Sequence, residues 1–249
     1  TGGFKVPLLS TMNSIFEGCS SLESLDLSGL VDATPQSMRS TFSGCASLAA
    51  LDLSFLNTGS VRCMANLFDG CASLATLDIS NFDTARVLEM GSMFRGCAKL
   101  TQLDLSHFDT TLVSDMEAMF DGCASLTSLN ISNLNTSGIS NMARMFAGCA
   151  SLPRLDVRGL STSAAVSMSS MFEGCAALTS VELASFNMAS VGNMARMFKD
   201  CSSIASLSLS GLSIPEATSL ESLCEGCTSL MSLSISNLNV PAARSTSGM

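Results

Sequence analysis

Tryptophan and tyrosine are absent from the 249 residues, histidine occurs once, and only 13% of the side chains are charged. Without Trp or Tyr, the chain cannot form the indole and phenol anchors that dominate many tight interfaces. With His107 as its sole histidine, it offers no nucleophile–base pair with a local signature and no paired metal motif, and it carries no phosphate-cradling glycine loop. An enzyme is not expected. No apolar run reaches the ~18–20 residues of a membrane span, and no signal peptide is visible, which says little about the compartment. Positive charge is scarce too. The net charge is −9, with 14 acidic and 6 basic residues in 1–125 against 7 and 6 in 126–249. An acidic chain with no basic stripe is a poor partner for nucleic acid or an anionic membrane.

What the chain has is repetition. Cysteines at 19, 45, 71, 97, 123, 149, 175, 201 and 227 are each 26 residues from the next (45 − 19 = 26). A fixed period of this size is the mark of a solenoid and outranks any local clue. With 47% hydrophobic residues the chain can fill a continuous core, leaving Ser, Thr, Asn and Gly to make most of the polar surface. The whole of 1–249 reads as one repeat domain, in register from about residue 4 (Phe4) to 240. Leu9, Met12, Ile15 and Phe16 are expected in the core. Residues 241–249 form a degenerate C-terminal tail that is expected to fray.

Two periodicities alternate within a repeat. Val87, Met90, Met93, Phe94 and Cys97 have the spacing of one buried helical face. Gly96 follows where glycine serves a C-terminal turn, and Asp200 alone breaks that glycine column. Leu103-Asp104-Leu105 alternates like a short half-buried strand. Asn81, His107 and Asn133 share a column with Gly29, Gly159 and Gly211, residue types that tolerate the positive φ of a sharp turn. The expected architecture is an α/β solenoid of about nine 26-residue repeats. It is a leucine-rich-repeat-like right-handed coil with a parallel β-sheet on one face and short helices or 3₁₀ turns on the other.

Leu100-Thr101-Gln102-Leu103-Asp104-Leu105 is the Leu-x-x-Leu-x-Leu opening of a leucine-rich repeat. The fuller unit Met-x-x-Met-Phe-x-Gly-Cys-x-x-Leu-x-x-Leu-Asp-Leu-Ser-x-Phe-Asp-Thr resembles the 26-residue repeat of the BspA-like leucine-rich repeat family. That family includes bacterial surface proteins and mycoplasma lipoproteins. The resemblance implies a secreted or cell-surface module for adhesion, host-protein binding or cell–cell contact, without a shared catalytic site. The chain departs from ordinary leucine-rich repeats where they place a buried Asn or Cys after the strand. Leu or Phe stands there instead (Leu30, Phe82, Phe108), and a substitute ladder is expected from the next column, Asn57, Asp83, Asp109 and Asn135.

Several columns carry chemistry on paper. The cysteine column is spaced closely enough for disulfides, but each member holds a core position, so small buried thiols are the expected role. A linear column also spreads ligands that zinc needs convergent. Cys224 and Cys227 form a C-x-x-C in which Cys224 takes a phenylalanine position (Phe172, Phe198), and Cys63 lies outside both columns. The methionine columns through Met90 and Met93 read as core. A threonine column, Thr58, Thr84, Thr110, Thr136 and Thr162, reads as a structural turn element rather than an ice-binding array.

Asp26, Asp52, Asp78, Asp104, Asn130, Asp156 and Glu182 point outward from the sheet between inward residues. Stacked carboxylates repel, which raises their pKa unless cations, the flanking serines (Ser28, Ser54, Ser80, Ser106, Ser132) or a basic partner compensate. The candidate partner-binding face is therefore Asp26, Asp52, Asp78, Asp104, Ser106, Arg154, Asp156, Arg158 and Glu182, with the two arginines interrupting the acidic stripe. Calcium is the ion that carboxylates at Asp52, Asp78 and Asp104 would suit, and no other cofactor is expected. The expected partner is a protein or glycan on a host or neighbouring cell. The alternative is a structural subunit whose uncapped ends stack head to tail into a filament.

Overall fold

The computed structural model describes residues 9–236 and 238–248; the expected register of Phe4 and the phase of Met249 fall outside them. The chain is a repeat solenoid whose coils stack on a shared core. That core is a set of columns rather than a set of elements. Phe16, Phe42, Phe68, Phe94, Phe120, Phe146, Phe172 and Phe198 stack in one file with ring centroids 5.5–5.8 Å apart and nearly parallel planes. This is offset stacking within the favourable range for aromatic pairs. Leu100, Leu103 and Leu105 line the same core from the sheet side, with Met90, Met93 and Cys97 from the other. Met12 is sealed in the first described coil, whereas Ile15 is largely exposed and Leu9 and Phe16 are half-buried.

Regular strands are short. β1 (Gln102–Asp104) pairs in parallel with β2 (Ser128–Asn130), and β3 (Ser206–Ser208) with β4 (Ser232–Ser234). Among the described residues the sheet is regular at these two places only, each joining neighbouring coils. A 3₁₀ turn at Ser28–Leu30 is the sole named helical element among them.

The Met-Phe-Gly-Cys segment buries the side chains its spacing foretold, but it is not an α-helix. Its amides alternate in destination. Met90, Ser92, Phe94 and Gly96 donate to carbonyls of the next coil (Asp115, Glu117, Met119 and Asp121) at 2.7–3.0 Å. Met93, Arg95 and Cys97 instead close 3₁₀-type turns onto Met90, Ser92 and Phe94. The reason is local: Ser92 at φ 56 and Gly96 at φ 69 lie in the left-handed region, which a right-handed helix cannot contain. A helical period therefore arises from turns that also pair between coils. Parallel bridges Ser37–Cys63–Glu89–Asp115 mark the same ladder at its start.

The positive-φ column is not the expected one. Among the described residues only Gly211 of the Asn81/His107/Gly159 column has positive φ; the left-handed residues are Ser40, Asn66, Ser92 and their equivalents, together with the glycines before cysteine. A Cβ at Gly96 would lie 3.3 Å from Gly70 Cα, so backbone stacks directly on backbone there. The Asn81 column bonds between coils instead. Asn81 Nδ2 donates to the carbonyls of Leu53 (2.9 Å) and Leu56 (3.1 Å), and Asn133 Nδ2 to Ser106 (2.6 Å).

Residues 241–248 lose the side-chain pattern but keep the ladder. Leu220 N donates to Ser245 O at 3.0 Å and Ser222 N to Ser247 O at 2.8 Å. Backbone rungs need no particular side chain, so this stretch docks rather than frays.

Candidate functional site: the sheet face

The outward residues of the sheet face are positioned by the alternation of the strand. In β1 the side chain of Leu103 is buried while Gln102 and Asp104 are exposed. In each coil the carboxylate or amide then folds back on the chain. Asp26, Asp52, Asp78, Asp104, Asn130 and Asp156 each accept, through Oδ1, the amide of the residue two further on, at 2.9–3.2 Å. These are Asx turns, and they reverse the expected electrostatics. Asp26, Asp52, Asp78 and Asp104 have pKa values below the ordinary carboxylate value, because a serine amide binds the charged form. At Asp52, repulsion from Asp78 is the smallest of the contributions. Of the compensations foreseen for the stripe, the flanking serines operate within the chain itself. The carboxylates of Asp52, Asp78 and Asp104 stand one per coil and do not converge. Among the described residues no three His, Cys, Asp or Glu side chains come together as a metal site.

Arg154 and Arg158 have different roles. Arg158 forms a bidentate pair with Asp156, Nε to Oδ1 at 2.9 Å and a terminal nitrogen to Oδ2 at 2.7 Å. This pairing pushes the Asp156 pKa down to about 2. The positive interruption of the stripe is therefore mostly self-neutralised at Arg158. Arg154 makes no ion pair among the described residues.

Arg154 follows Pro153, a residue that sequence reasoning passed over. In the two preceding coils this column donates to the coil before it, Thr101 N to Ala75 O at 3.4 Å and Thr127 N to Thr101 O at 2.9 Å, whereas Ala49 and Ala75 make no such bond. Pro153 has no N–H to give to Thr127, so the ladder skips a rung. This stretch of the face carries three clefts. A depression of about 530 Å³ lies between Leu129–Ser132 and Asp156–Gly159. Another of about 210 Å³ lies between Arg154–Arg158 and Ser180–Glu182. A third of about 200 Å³ continues to Ser206, Ser208 and Ser210. Asp156, Arg158, Arg154 and Glu182 are thus brought to one cleft region. Asp26, Asp52 and Asp78 line none of these three clefts. A proline in a column otherwise held by Thr, Ala, Glu and Met marks this stretch.

A second charged surface, also missed, runs along the turn side. Its column reads Asp69, Arg95, Asp121, Ala147, Glu173, Lys199, Glu225, nearly alternating in sign. Arg95 pairs with Asp69 at 2.6 Å and Lys199 with Glu225 at 2.8 Å. At Ala147, where no charge is available, Arg144 reaches across from the neighbouring column to Asp121 (2.8 Å) and Glu173 (3.9 Å). These surface pairs are worth little each, and Glu173 Oε2, beyond hydrogen-bond reach of Arg144, is left without a hydrogen-bond partner.

A family model described as "Mycoplasma protein of unknown function, DUF285" matches residues 36–154 and 125–238. The chain belongs to this family. It is a BspA-like leucine-rich repeat protein. Among solved structures, this DUF285 chain is similar to a leucine-rich repeat protein from Bacteroides ovatus, with a TM-score of 0.52 at 16% identity over 89% of this chain. It spans 63% of that protein's length. A leucine rich cell surface protein from Faecalibacterium prausnitzii matches at 18% identity and a TM-score of 0.34, over 89% of this chain and 68% of that one. The leucine-rich repeat protein of T. pallidum matches at 21% and 0.33, over 57% and 70%. No curated protein matches. The first of these likenesses supports the leucine-rich repeat fold and nothing about a ligand. No helix among the described residues is long and apolar enough to cross a membrane.

Proposed function

We propose that this chain is a non-enzymatic binding module, displayed at the cell surface or secreted, that takes a protein or glycan partner on its sheet face. The observation that carries this reading is the set of clefts on the sheet face beside Pro153. A free guanidinium, Arg154, lies among them with Ser180, Glu182 and Asp156. A flat sheet offers a partner only side-chain tips, whereas these clefts add concavity and groups with unspent hydrogen-bonding capacity. The Asp26, Asp52, Asp78 and Asp104 stripe, with Ser106, forms the flank of the same face. Surface placement rests on membership of a family that includes bacterial surface proteins.

The test is binding to host-cell surface extracts and glycan arrays, with Arg154→Glu compared against Asp78→Lys and Asp104→Lys. The reading expects Arg154→Glu to weaken binding about tenfold, the worth of one good charged contact. The two lysine substitutions should have smaller effects. Binding unchanged in all three would remove the sheet face from consideration. Adding calcium or a chelator to the same assay decides whether Asp52, Asp78 and Asp104 need an ion.

A second reading is head-to-tail self-association. It is favoured by Met231, Leu233 and Ile235, exposed on and beside β4. Further repeats of a longer chain, or a second copy, would cover them. A mass by light scattering that stays monomeric at every concentration would rule out the second copy.

A further inference from the structure

The aromatic file ends at Phe198 because the next coil carries Cys224 in that position. Cys224 opens a turn that Cys227 closes, its amide donating to the Cys224 carbonyl at 3.1 Å. Gly226 is the third residue of that turn, at φ 77. Such a turn holds its first and fourth Cα atoms within ~7 Å, and a disulfide spans ~4.4–6.8 Å. In every preceding described coil, from Phe16–Cys19 to Phe198–Cys201, the cysteine at the end of this turn shares it with a phenylalanine. Here, uniquely, it shares it with a second thiol. Cys71, Cys97, Cys123, Cys149, Cys175 and Cys201 are sealed in the core, whereas Cys224 and Cys227 are both half-buried. The two neighbouring thiols shift each other's acidity, Cys227 below the usual thiol range and Cys224 above it, while the Cys227 thiol donates to the Phe198 carbonyl at 3.1 Å.

We propose that Cys224 and Cys227 form a thiol–disulfide exchange site that takes small-molecule disulfides of the glutathione type. Cys227, as thiolate, attacks one sulfur of the small disulfide. That S–S bond breaks, one small thiolate leaves, and it takes up the proton Cys227 has lost. Cys224 then loses its proton and attacks Cys227 Sγ, forming the Cys224–Cys227 bond and expelling the second small thiol, which carries that proton. The protein pair is oxidised by two electrons and one disulfide is reduced to two thiols. The site is independent of the sheet-face reading.

The experiment incubates the full chain with oxidised glutathione, quenches with acid, alkylates free thiols and maps the peptides by mass. The expected product is a 224–227 peptide lacking two hydrogens and carrying no alkyl group, with the core thiols alkylated only after denaturation. In Cys224→Phe, which restores the aromatic column, closure is impossible and a glutathione adduct should persist on Cys227. A urea denaturation curve checks that this variant folds. A wild-type peptide that remains alkylatable at both cysteines overturns the proposal, whether or not Cys63 is modified. So does a folded Cys224→Phe chain with no adduct at Cys227.

Discussion

The Thr84 hydroxyl donates to the Asp109 carbonyl at 2.9 Å and accepts from the Asp109 amide at 2.8 Å, so one side chain satisfies both backbone groups of a residue in the next coil. Thr58 does the same for Asp83, and Thr110 for Asn135. Thr136 and Thr162 make only the donating half, to Ser161 and Asn187. All five are at most 2% exposed. At a corner where the chain turns too sharply to pair, a hydroxyl substitutes for a strand neighbour. This is the ladder that ordinary leucine-rich repeats build from asparagine.

Thr84→Val keeps the shape and removes both hydrogen bonds. It should cost about 2–4 kcal/mol, because two backbone groups lose their partner in a place water cannot reach. Thr162→Val strands one group and should cost roughly half as much. Urea denaturation of the two variants checks the ratio, and equal costs would mean that the second bond contributes nothing.

Asp200 occupies the column where other coils place glycine, and it holds φ 60. An L-residue there pays roughly 1–2 kcal/mol against its own carbonyl, and its carboxylate crowds the position where Gly226 approaches. Asp200→Gly should therefore raise stability by about 1 kcal/mol. An unchanged denaturation midpoint would mean that the aspartate side chain is compensated in the fold.

The period, the core columns and the outward face were legible because each is a direct consequence of burial. A residue such as Phe94 or Leu103 must be apolar in every coil, so the pattern repeats. The conformation of the Met-Phe-Gly-Cys segment was not legible. Turns that pair between coils and a short helix bury the same face, and what separates them is the backbone sign at Ser92, a residue type with no bias toward positive φ. The threonine column was visible as a turn element, but its bonding depends on the coil above it and so on the stacking register. The flanking serine was legible as a compensator for Asp104, but not that its backbone amide would outweigh the repulsion between coils. Pro153 was in plain sight as one odd member of a column.

The cysteine column predicts an alkaline limit to stability. Each buried thiol donates to a phenylalanine carbonyl of the coil before, as Cys97 does to Phe68 at 3.2 Å. Burial pushes the thiols of Cys71, Cys123 and Cys175 from the usual 9.0 up to about 12. Between those values the unfolded chain releases protons that the native chain keeps. The contribution is thus complete below pH 9 and is lost as pH rises toward about 12. Denaturation midpoints should hold up to pH 9 and then fall steeply, and Cys123→Ala should make the fall shallower.

Asp156 should titrate apart from its column. Arg158 holds it at about 2, whereas Asp104 is lowered chiefly by the Ser106 amide. In Arg158→Ser the Asp156 value should rise toward that of Asp104, since the Asx turn remains and the guanidinium does not. Carboxyl NMR titration reads both. A value that does not move would assign the shift at Asp156 to the backbone alone.

Pro153→Thr would return the missing N–H opposite the Thr127 carbonyl. The neighbouring rung, Thr127 N to Thr101 O at 2.9 Å, shows the geometry that the restored amide would adopt. One backbone hydrogen bond contributes about 0.5–1.5 kcal/mol net. Against it stands the lost stiffness of proline in the unfolded chain, about 0.4–1 kcal/mol. The two nearly cancel, so global stability should barely change. The local consequence is larger. The residue 153 amide should become protected from hydrogen exchange, the depression between Leu129–Ser132 and Asp156–Gly159 should narrow, and any partner that uses it should bind less well. A protected amide with unaltered binding would show that the depression is tolerated rather than used. An amide that exchanges freely would mean that something other than the missing N–H, such as the Arg158–Asp156 pair, shapes the depression.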